Sequence, residues 1–243
     1  MRLRSLKFLL NSKISFLRKI YFFYNIYLRN YKYLKGGTQF NEDKYLKSFF
    51  KKDYQGKFVD LGSFHPTRHN NTFHFYKKNW RGINIDLNPI TIELFDFFRP
   101  KDININCAIS DKKTYKKLYF VDDFSPLNTL DLNHLEFLKK NFSLEKKDFK
   151  EKKIKTENVN SILEKYKFYK VDFLNIDLEG LEYEVIKSIN FKKFKINLIC
   201  IEILNHNNFY KKRTKKIQQI LKKNNFKYLK NIGINSIYKN ISI

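Results

Sequence analysis

Short hydrophobic runs alternate along this chain with segments in which apolar residues recur every three or four positions. The runs predict five β-strands, at residues 57–61, 81–86, 103–109, 172–177 and 197–203. The periodic segments predict helices at 70–79, from Pro89 to just before Pro100, around 181–189 and around 214–221. Such alternation is typical of an α/β fold with a largely parallel sheet covered by helices.

Two segments interrupt the alternation. Near the C-terminus, residues 226–229 and 236–238 flank a turn-like Asn231-Ile232-Gly233, which predicts a hairpin that ends the sheet. Residues 112–160 form an insertion rich in Lys and Asp, with one predicted strand at 117–121 and a poorly patterned remainder. We interpret residues 36–243 as one domain that carries this insertion, and we expect a substrate lid there.

The first 35 residues form a basic amphipathic arm. They contain nine Lys or Arg and no acidic residue, since the first carboxylate is Glu42. The apolar stripe that predicts a helix consists of Leu3, Leu6, Leu10, Ile14, Leu17, Tyr21, Tyr24 and Leu28. Arg18 and Lys19 interrupt the longest apolar stretch, which disfavours a spanning segment and a signal peptide. The arm is expected either to lie on an anionic membrane surface or to pack on the core or a partner.

Composition changes this interpretation less than the net charge of +25 suggests. Lysine outnumbers arginine by 41 to 8 and is spread over nearly every segment, and Ala108 is the one alanine. That composition is expected of A+T-rich codons, whereas proteins that read phosphate or bases favour arginine. The two cysteines, Cys107 and Cys200, exclude a disulfide scaffold and a multi-cysteine zinc site, and they fit a reducing cytoplasmic compartment.

Candidate chemistry is concentrated where the predicted strands end. The first strand continues into Asp60-Leu61-Gly62-Ser63, and the second ends at Asp86, 24 residues after Gly62. Ligands of open parallel sheets bind beyond the carboxyl ends of the strands, and an acid near this interval commonly meets ribose hydroxyls. The sequence therefore predicts a site for an adenosine nucleoside, although it lacks the G-x-G-x-x-G fingerprint of dinucleotide binding.

Two further strand ends carry polar residues. The third ends in Ala108-Ile109-Ser110-Asp111, and the fourth ends in Asp177-Leu178-Glu179-Gly180. Because four consecutive strands finish in acidic or polar residues, we predict one shared cleft at this edge of the sheet. Capping of turns by ordinary strand-end acids is the alternative for each residue taken alone.

These motifs resemble the FkbM family of S-adenosylmethionine-dependent methyltransferases from about residue 58 to 202. The most recognisable stretches are 59–66, 70–72, 80–89, 104–111, 173–182 and 199–202. Asn79 stands where the family pattern leads us to expect glycine. The resemblance implies a class I methyltransferase, Rossmann-like fold with a seven-stranded, mostly parallel sheet and a C-terminal antiparallel hairpin. It also implies S-adenosylmethionine as the cofactor.

Site residues follow from the resemblance together with the strand ends. The predicted cofactor-binding residues are Asp60, Gly62 and Ser63 at the methionyl end, Asp86 at the ribose, and Ala108, Ile109, Ser110 and Asp111 at the adenine. The candidate catalytic residues are His65, Asp177 and Glu179, because a transferred methyl requires an acceptor whose proton is removed. The predicted substrate-binding residues are Arg68, His69, Asn71, Thr72 and His206, a set of donors and acceptors that suits a polyhydroxylated acceptor. No catalytic metal is predicted.

The leading functional hypothesis is an O-methyltransferase that acts on a hydroxyl of a sugar, a glycolipid or a related surface-glycan precursor. Its localisation is then expected to be cytoplasmic, or peripheral on the inner face of the membrane through residues 1–35. The first alternative is a protein associated with nucleic acid, or an RNA methyltransferase, that uses the basic arm. The second is a noncatalytic binding module on the same fold. The sequence does not indicate the oligomeric state.

Overall fold

A computed structural model gives the fold of the chain and describes residues 6, 8–10, 12, 14–122, 124–142, 145, 148–205 and 207–243. Within these residues, ten strands form two sheets. They are β1 Lys57–Leu61, β2 Arg81–Asp86, β3 Ile103–Asn106, β4 Ala108–Ser110, β5 Thr114–Phe120, β6 Lys150–Asn158, β7 Lys170–Ile176, β8 Lys195–Glu202, β9 Phe226–Ile232 and β10 Asn235–Asn240. The α-helices are α1 Ser15–Phe23, α2 Glu42–Leu46, α3 Phe73–Lys77, α4 Pro89–Phe98, α5 Leu132–Phe142, α6 Val159–Lys165, α7 Glu182–Ser188 and α8 Asn208–Lys223.

The main sheet has seven strands in the order β3-β2-β1-β7-β8-β10-β9. The pairs from β3 to β8 are parallel, and β10 pairs antiparallel with both β8 and β9. This arrangement confirms the predicted mostly parallel sheet with an antiparallel C-terminal hairpin. Because the strand order reverses between β1 and β7, the carboxyl ends of these two strands flank the crevice in which open sheets bind ligands.

The apolar residues of the central strands explain why they are buried. Val59 and Leu61 of β1 point to one face of the sheet, where they join a large cluster with β7, β8 and the helices α6, α7 and α8. Phe58 points to the other face and packs with Phe75, Trp80 and Phe173. The alternation of side chains along a strand therefore supplies both faces, as is required of a parallel sheet covered on both sides.

The predicted third strand is wrong beyond residue 106. The chain breaks at Cys107, and Ala108–Ser110 leaves the main sheet to pair with β6 in a separate three-stranded sheet of order β4-β6-β5. The continuous hydrophobic pattern hides this break. The insertion supplies all of β5 and β6, which pair antiparallel, together with α5, so it is more regular than its composition suggests. The helix predicted at 70–79 is also shorter and covers only Phe73–Lys77.

The described part of the arm is helical. After α1 come a π-helical segment, Tyr24–Arg29, and a 3-10 turn, Tyr31–Lys35. Tyr21, Phe22 and Ile26 are buried, and they pack with Leu94 of α4. The inward side of the arm thus includes part of the stripe seen in the sequence, while Leu3 lies outside the described residues. No helix in the described part of the chain is long and apolar enough to cross a membrane.

Candidate active site

A cavity of about 270 Å³ lies beyond the carboxyl ends of β1, β2 and β7. Gly62 and Ser63 follow β1 in its wall, Asp86 ends β2, and Asp177 with Glu179 follows β7. The residues just after three parallel strands therefore meet in one place, as the positions of the polar strand ends predict.

Gly62 holds the first strand end against the fourth. The Gly62 N–H donates to Ile85 O at 2.9 Å, and the Asp177 N–H donates to Leu61 O at 2.9 Å. Gly62 has φ +79°, and a Cβ built on it would lie 1.7 Å from Asp177 O. Only glycine fits both this backbone conformation and this close approach.

Asp60 is fully buried and accepts three side-chain hydrogen bonds. Asn70 Nδ2 and Thr72 Oγ1 donate to Oδ2 at 3.0 and 2.9 Å, and Asn175 Nδ2 donates to Oδ1 at 2.9 Å. Burial raises the pKa of Asp60, while the Asn175 hydrogen bond and the charge of Arg99 act in the opposite direction. Asp60 forms part of the cavity wall and also fixes the loop after β1. Its direct contact with a cofactor stays a prediction.

Asp86 is positioned by backbone amides. The Phe64 N–H donates to Oδ2 at 2.9 Å and the Asn88 N–H donates to Oδ1 at 2.7 Å. Burial raises the pKa of Asp86 to about 6, so the group is mostly ionised at pH 7. Each oxygen retains acceptor capacity toward the cavity, because an ionised carboxylate has about four acceptor positions.

The predicted adenine-binding stretch needs a correction. Of its four residues only Ile109 lines the cavity, next to Cys107. Ala108 and Ser110 are buried where β4 pairs with Thr156 and Asn158 of β6, and Ser110 Oγ donates to Asp111 Oδ1 at 2.9 Å. Side chains alternate along β4, so Ile109 faces the cavity while Ala108 and Ser110 face away from it. Asp111 is not part of the cavity wall either.

The inserted segment supplies cavity residues that sequence reasoning missed. Ser125, Pro126, Asn128 and Leu130 line the cavity. Asn128 Nδ2 donates to Asn88 Oδ1, and Asn88 Nδ2 donates to Ser125 O at 3.2 Å. These bonds fasten the insertion to the start of α4. No local pattern marks this pairing, because Asn88 and Asn128 are 40 residues apart.

The fourth strand end contributes a cluster of carboxylates. β7 and β8 pair with Ile176 opposite Ile201, which places Asp177 beside Glu202. Burial, followed by the charges of Glu179 and Glu182, raises the pKa of Asp177 well above its usual value. Burial, followed by the charge of Asp177, also raises the pKa of Glu202 well above its usual value. Glu202 is a residue that the sequence analysis did not propose for the site.

The turn after β7 explains how Glu179 reaches the cavity. Glu179 and Gly180 both have left-handed backbones, with φ of 52° and 112°. Glu182 Oε1 accepts from the backbone N–H groups of Leu178 and Gly180 at 2.9 and 3.2 Å, which locks this turn. Burial raises the pKa of Glu182 to about 7, against the lowering effect of these hydrogen bonds.

His65 does not lie in the cavity wall, so the structure gives its predicted role as a catalytic base no support. Its ring is buried, Nε2 lies 2.7 Å from Asn25 Oδ1, and Nδ1 accepts from the backbone N–H groups of Thr67 and Arg68. Burial lowers the pKa of His65 to about 3. The histidine holds the turn after β1 and connects it to the arm.

The predicted substrate residues divide into three groups. Arg68, His69 and Asn71 line the cavity, and Tyr33 of the arm lies 3.0 Å from His69 Nε2 through its hydroxyl. Thr72, in contrast to its prediction, does not line the cavity. It is buried, and its Oγ1 donates to Asp60 and accepts a hydrogen bond from Arg99. His206 lies outside the described residues.

Comparison with known proteins identifies a methyltransferase family. A family model described as the methyltransferase FkbM domain matches residues 60–228. A crystal structure of a TehB-like SAM-dependent methyltransferase from Corynebacterium glutamicum is 8% identical, with 88% of this chain and 96% of that chain covered and a TM-score of 0.44. No curated protein matches the chain. With so low a TM-score, the assignment rests on the family match.

Proposed function

We propose, for a chain that belongs to the FkbM methyltransferase family, that it transfers a methyl group to a hydroxyl of a sugar or surface-glycan precursor. Membership establishes a methyltransferase that uses S-adenosylmethionine. The nature of the acceptor is our proposal. The observation that carries it is the presence of Asp177 and Glu179 in the same cavity as Asp86 and Gly62.

The cavity fits the cofactor. At Gly62 the backbone approaches Asp177 more closely than any side chain would permit, and the Asp86 carboxylate stands in the wall with acceptor capacity to spare. Asp86 would accept hydrogen bonds from ribose hydroxyls, and Ile109 with Leu87 would give an apolar wall to the adenine. When bound, S-adenosylmethionine supplies a methyl group activated by its positive sulfur.

Asp177 and Glu179 suit the acceptor end of the cavity. A carboxylate accepts a hydrogen bond from a hydroxyl and so orients the oxygen as a nucleophile. Arg68 and His69 add polar groups to the same cavity, and Asn71, whose Nδ2 already donates to Asn175 Oδ1 at 3.0 Å, offers its unpaired Oδ1 as an acceptor. A polyhydroxylated acceptor uses such a set fully, because each hydroxyl that leaves water needs a polar partner.

Transfer of a labelled methyl group tests the acceptor class. Purified protein with radiolabelled S-adenosylmethionine is offered nucleotide sugars, lipid-linked oligosaccharides, RNA and carboxylic acids. We expect label in the sugar fraction as a base-stable ether, with little transfer by Asp177→Asn. Label released as methanol by mild base, or label found only in RNA, would contradict a sugar hydroxyl as the acceptor.

We also propose that the arm brings the enzyme to an anionic membrane surface. Its exposed outer face carries an aromatic and aliphatic stripe that consists of Phe16, Ile20, Phe23, Tyr27 and Tyr31. Phe16, Ile20 and Phe23 are spaced by three or four positions within α1 and so share one face, and Tyr27 and Tyr31 are exposed in the π-helical and 3-10 segments that follow. Tyr21, Phe22 and Ile26 instead pack with Leu94 of α4, and the Tyr27 ring meets Phe98 at the edge of the exposed stripe, so the arm has one buried and one largely open apolar face.

Charge favours an anionic membrane as the occupant of this open face. Lys19, Arg29, Lys32 and Lys35 are exposed beside the stripe, and the sequence has no acidic residue before Glu42. Each basic side chain near an anionic leaflet contributes about 1 kcal/mol, and exposed aromatic residues favour the interface. A protein partner or a second copy of the chain would fill the apolar stripe without requiring this charge.

Vesicle co-sedimentation tests the arm. We expect the full chain to bind vesicles that contain phosphatidylserine but not purely neutral ones, and Phe16→Ser with Phe23→Ser to weaken binding at least tenfold. Tyr115→Ser, which changes an exposed ring on β5, is the matched control. Unchanged binding by the double variant, or dimerisation through this face in neutral solution, would contradict the proposal.

A further inference from the structure

We infer that Asp177, Glu179 and Glu202 form a binding site for one divalent cation of the Mg²⁺ or Mn²⁺ type. Each residue offers one carboxylate oxygen, and the three oxygens lie within 4.8 Å of one another. Oxygen ligands lie about 2.0–2.1 Å from Mg²⁺ and about 2.3–2.6 Å from Ca²⁺, so two ligands of one ion are at most about 4.2 Å apart on Mg²⁺ and about 5 Å apart on Ca²⁺. The three carboxylates as they stand are close enough to share an ion of the size of Ca²⁺, and side-chain movements of about 0.5 Å would bring them to the distances of Mg²⁺ or Mn²⁺.

Glu202 supplies an observation that is independent of this spacing. The residue is 7% exposed, and its Oε2 is buried without a hydrogen-bond partner. A buried carboxylate oxygen that meets no donor is costly, because it has lost its water and gained nothing in return. Its neighbour across the strand pair is a second carboxyl group, Asp177, and the two groups share one hydrogen bond, so a cation between them would satisfy the oxygens that this single bond leaves over.

His134 of α5 closes the cluster on the side of Glu179. Its ring is 2% exposed, and Nε2 lies 2.8 Å from Glu179 Oε2. Neither ring nitrogen makes a well-directed hydrogen bond. A histidine at this distance limits the orientations open to the glutamate. Partners of this kind hold the carboxylates of metal sites in a geometry that suits the ion.

The site can be reached from two sides. Asp177 and Glu179 line the cavity described above, while His134, Glu179 and Glu202 line a second cavity of about 520 Å³. An ion at the three carboxylates would therefore sit between solvent and the acceptor end of the active site. Its open coordination positions would face the region in which we place the acceptor hydroxyl.

A neighbouring group of acids shows how this protein stabilises carboxylates that serve structure. Arg213 forms ion pairs with Asp131 and Glu184 and also donates to Gly180 O at 2.8 Å. Within the described ranges, no lysine or arginine forms an ion pair with Asp177 or Glu202. Asp131 and Glu184 are thus neutralised by a protein cation, whereas Asp177 and Glu202 have no such partner and their remaining oxygens are free to bind an ion.

The ligand atoms indicate the class of ion. All three are carboxylate oxygens, which suit Mg²⁺, Mn²⁺ and Ca²⁺, whereas zinc and copper sites favour nitrogen and sulfur. A cation there would bind acceptor oxygens and stabilise the negative charge that develops when the hydroxyl loses its proton. This catalytic role rests on the proposed function, but the binding of the ion does not.

Manganese binding tests the site directly. The full chain, freed of metal, is titrated with MnCl₂, and free Mn²⁺ is measured by electron paramagnetic resonance. We expect one ion per chain, displaced by excess Mg²⁺, with binding weakened at least tenfold in Glu202→Gln. Glu164→Gln, an exposed acid paired with Lys193, is the control and should bind as the parent does.

Thermal unfolding of the same proteins separates lost binding from lost folding. Mn²⁺ should raise the melting temperature of the parent and not that of Glu202→Gln. The metal-free variant should melt at or above the parent, because the substitution removes a repelled carboxylate. Equal Mn²⁺ affinity in parent and variant, or no bound Mn²⁺ at 1 mM, would overturn the site.

Methyl transfer by these preparations distinguishes the two proposals. If no Mn²⁺ binds and transfer to a sugar hydroxyl continues at full rate in chelator, the cation site is overturned while the proposed function remains. If Mn²⁺ binds as expected and no hydroxyl is methylated, the acceptor proposal fails and the cation site remains.

Discussion

Two groups of acids lie at the carboxyl ends of the central strands and differ in how their oxygens are satisfied. At β1 and β2, the oxygens of Asp60 and Asp86 meet five donors from side chains and backbone amides. At β7 and β8, Asp177 and Glu202 face each other, and Glu202 Oε2 has no hydrogen-bond partner. Matched carboxylates build the wall of the site, whereas carboxylates left unmatched by protein donors are available to a ligand. Removing an acid of the first group should therefore reduce stability or cofactor binding, whereas removing an acid of the second group should reduce turnover.

The largest effect is expected for Asp60→Ala. The change leaves the buried donors Asn70, Thr72 and Asn175 without their acceptor. We expect a loss of about 3–5 kcal/mol in the free energy of unfolding, measured by urea denaturation. Asp96→Ala, at an exposed acid that accepts one side-chain hydrogen bond, should cost less than about 1 kcal/mol. Equal costs would remove the distinction between matched and ordinary acids.

The unmatched group should affect turnover rather than folding. Asp177→Asn keeps the shape of the side chain but removes its ability to take up a proton, so we expect kcat to fall about 100-fold. The Kd for S-adenosylmethionine, measured by calorimetry, should change less than about threefold, because Asp86 and not Asp177 is placed at the ribose. A parental rate in Asp177→Asn, with Glu179→Gln equally unaffected, would make these carboxylates structural.

The matched acid of β2 should affect cofactor binding. Asp86→Ala removes the acceptor that we place at the ribose and leaves the Phe64 and Asn88 amides unpaired. We expect affinity for S-adenosylmethionine to fall by about 2 kcal/mol, or roughly 30-fold. Circular dichroism provides the folding control. Parental calorimetric affinity in a folded Asp86→Ala protein would be incompatible with this placement of the cofactor.

His65 is a buried base with a hydrogen-bond partner at each of its two ring nitrogens. Its lowered pKa means that the unfolded chain takes up a proton below about pH 6.5 while the folded chain resists until about pH 3. Arg68, His69 and Arg29 face it and oppose its protonation. Stability attributable to His65 is therefore complete above pH 6.5 and is lost as the pH falls, by about 1.4 kcal/mol per unit.

Urea denaturation at several pH values measures this effect as the difference between the parent and His65→Asn. The subtraction cancels the contributions of the carboxylates, whose raised pKa values act in the opposite direction. We expect the advantage of the parent to shrink steadily from pH 6.5 to pH 5. A difference independent of pH would show that His65 can be protonated within the fold.

The same contrast separates what the sequence could predict from what it could not. The bounds of β1 and β2 were predicted correctly because buried runs there end abruptly in an acid followed by a turn. Gly62, Asp86 and Asp177 were predicted to meet because parallel strands end at one edge of the sheet. These inferences require only local pattern and the geometry of a sheet.

The residues that the sequence missed or assigned to the wrong place depend on contacts between distant segments. Ala108 and Ser110 continue an apolar run, and only their pairing with β6 removes them from the cavity. His65 looks like a base until Asn25 of the arm is seen to fill its Nε2 side. Glu202 becomes a site residue only through the register that sets β8 beside β7. In each case the partner decides the role, and the partner is not a neighbour in sequence.

A crystal structure with bound S-adenosylhomocysteine, the demethylated product, tests the central claim most directly. We expect the ligand in the cavity beyond β1 and β2, with its ribose hydroxyls on the Asp86 carboxylate and its sulfur toward Asp177 and Glu179. A ligand bound elsewhere, or one whose ribose avoids Asp86 and whose sulfur points away from Asp177, would contradict the division of this cavity into a matched cofactor half and an unmatched acceptor half.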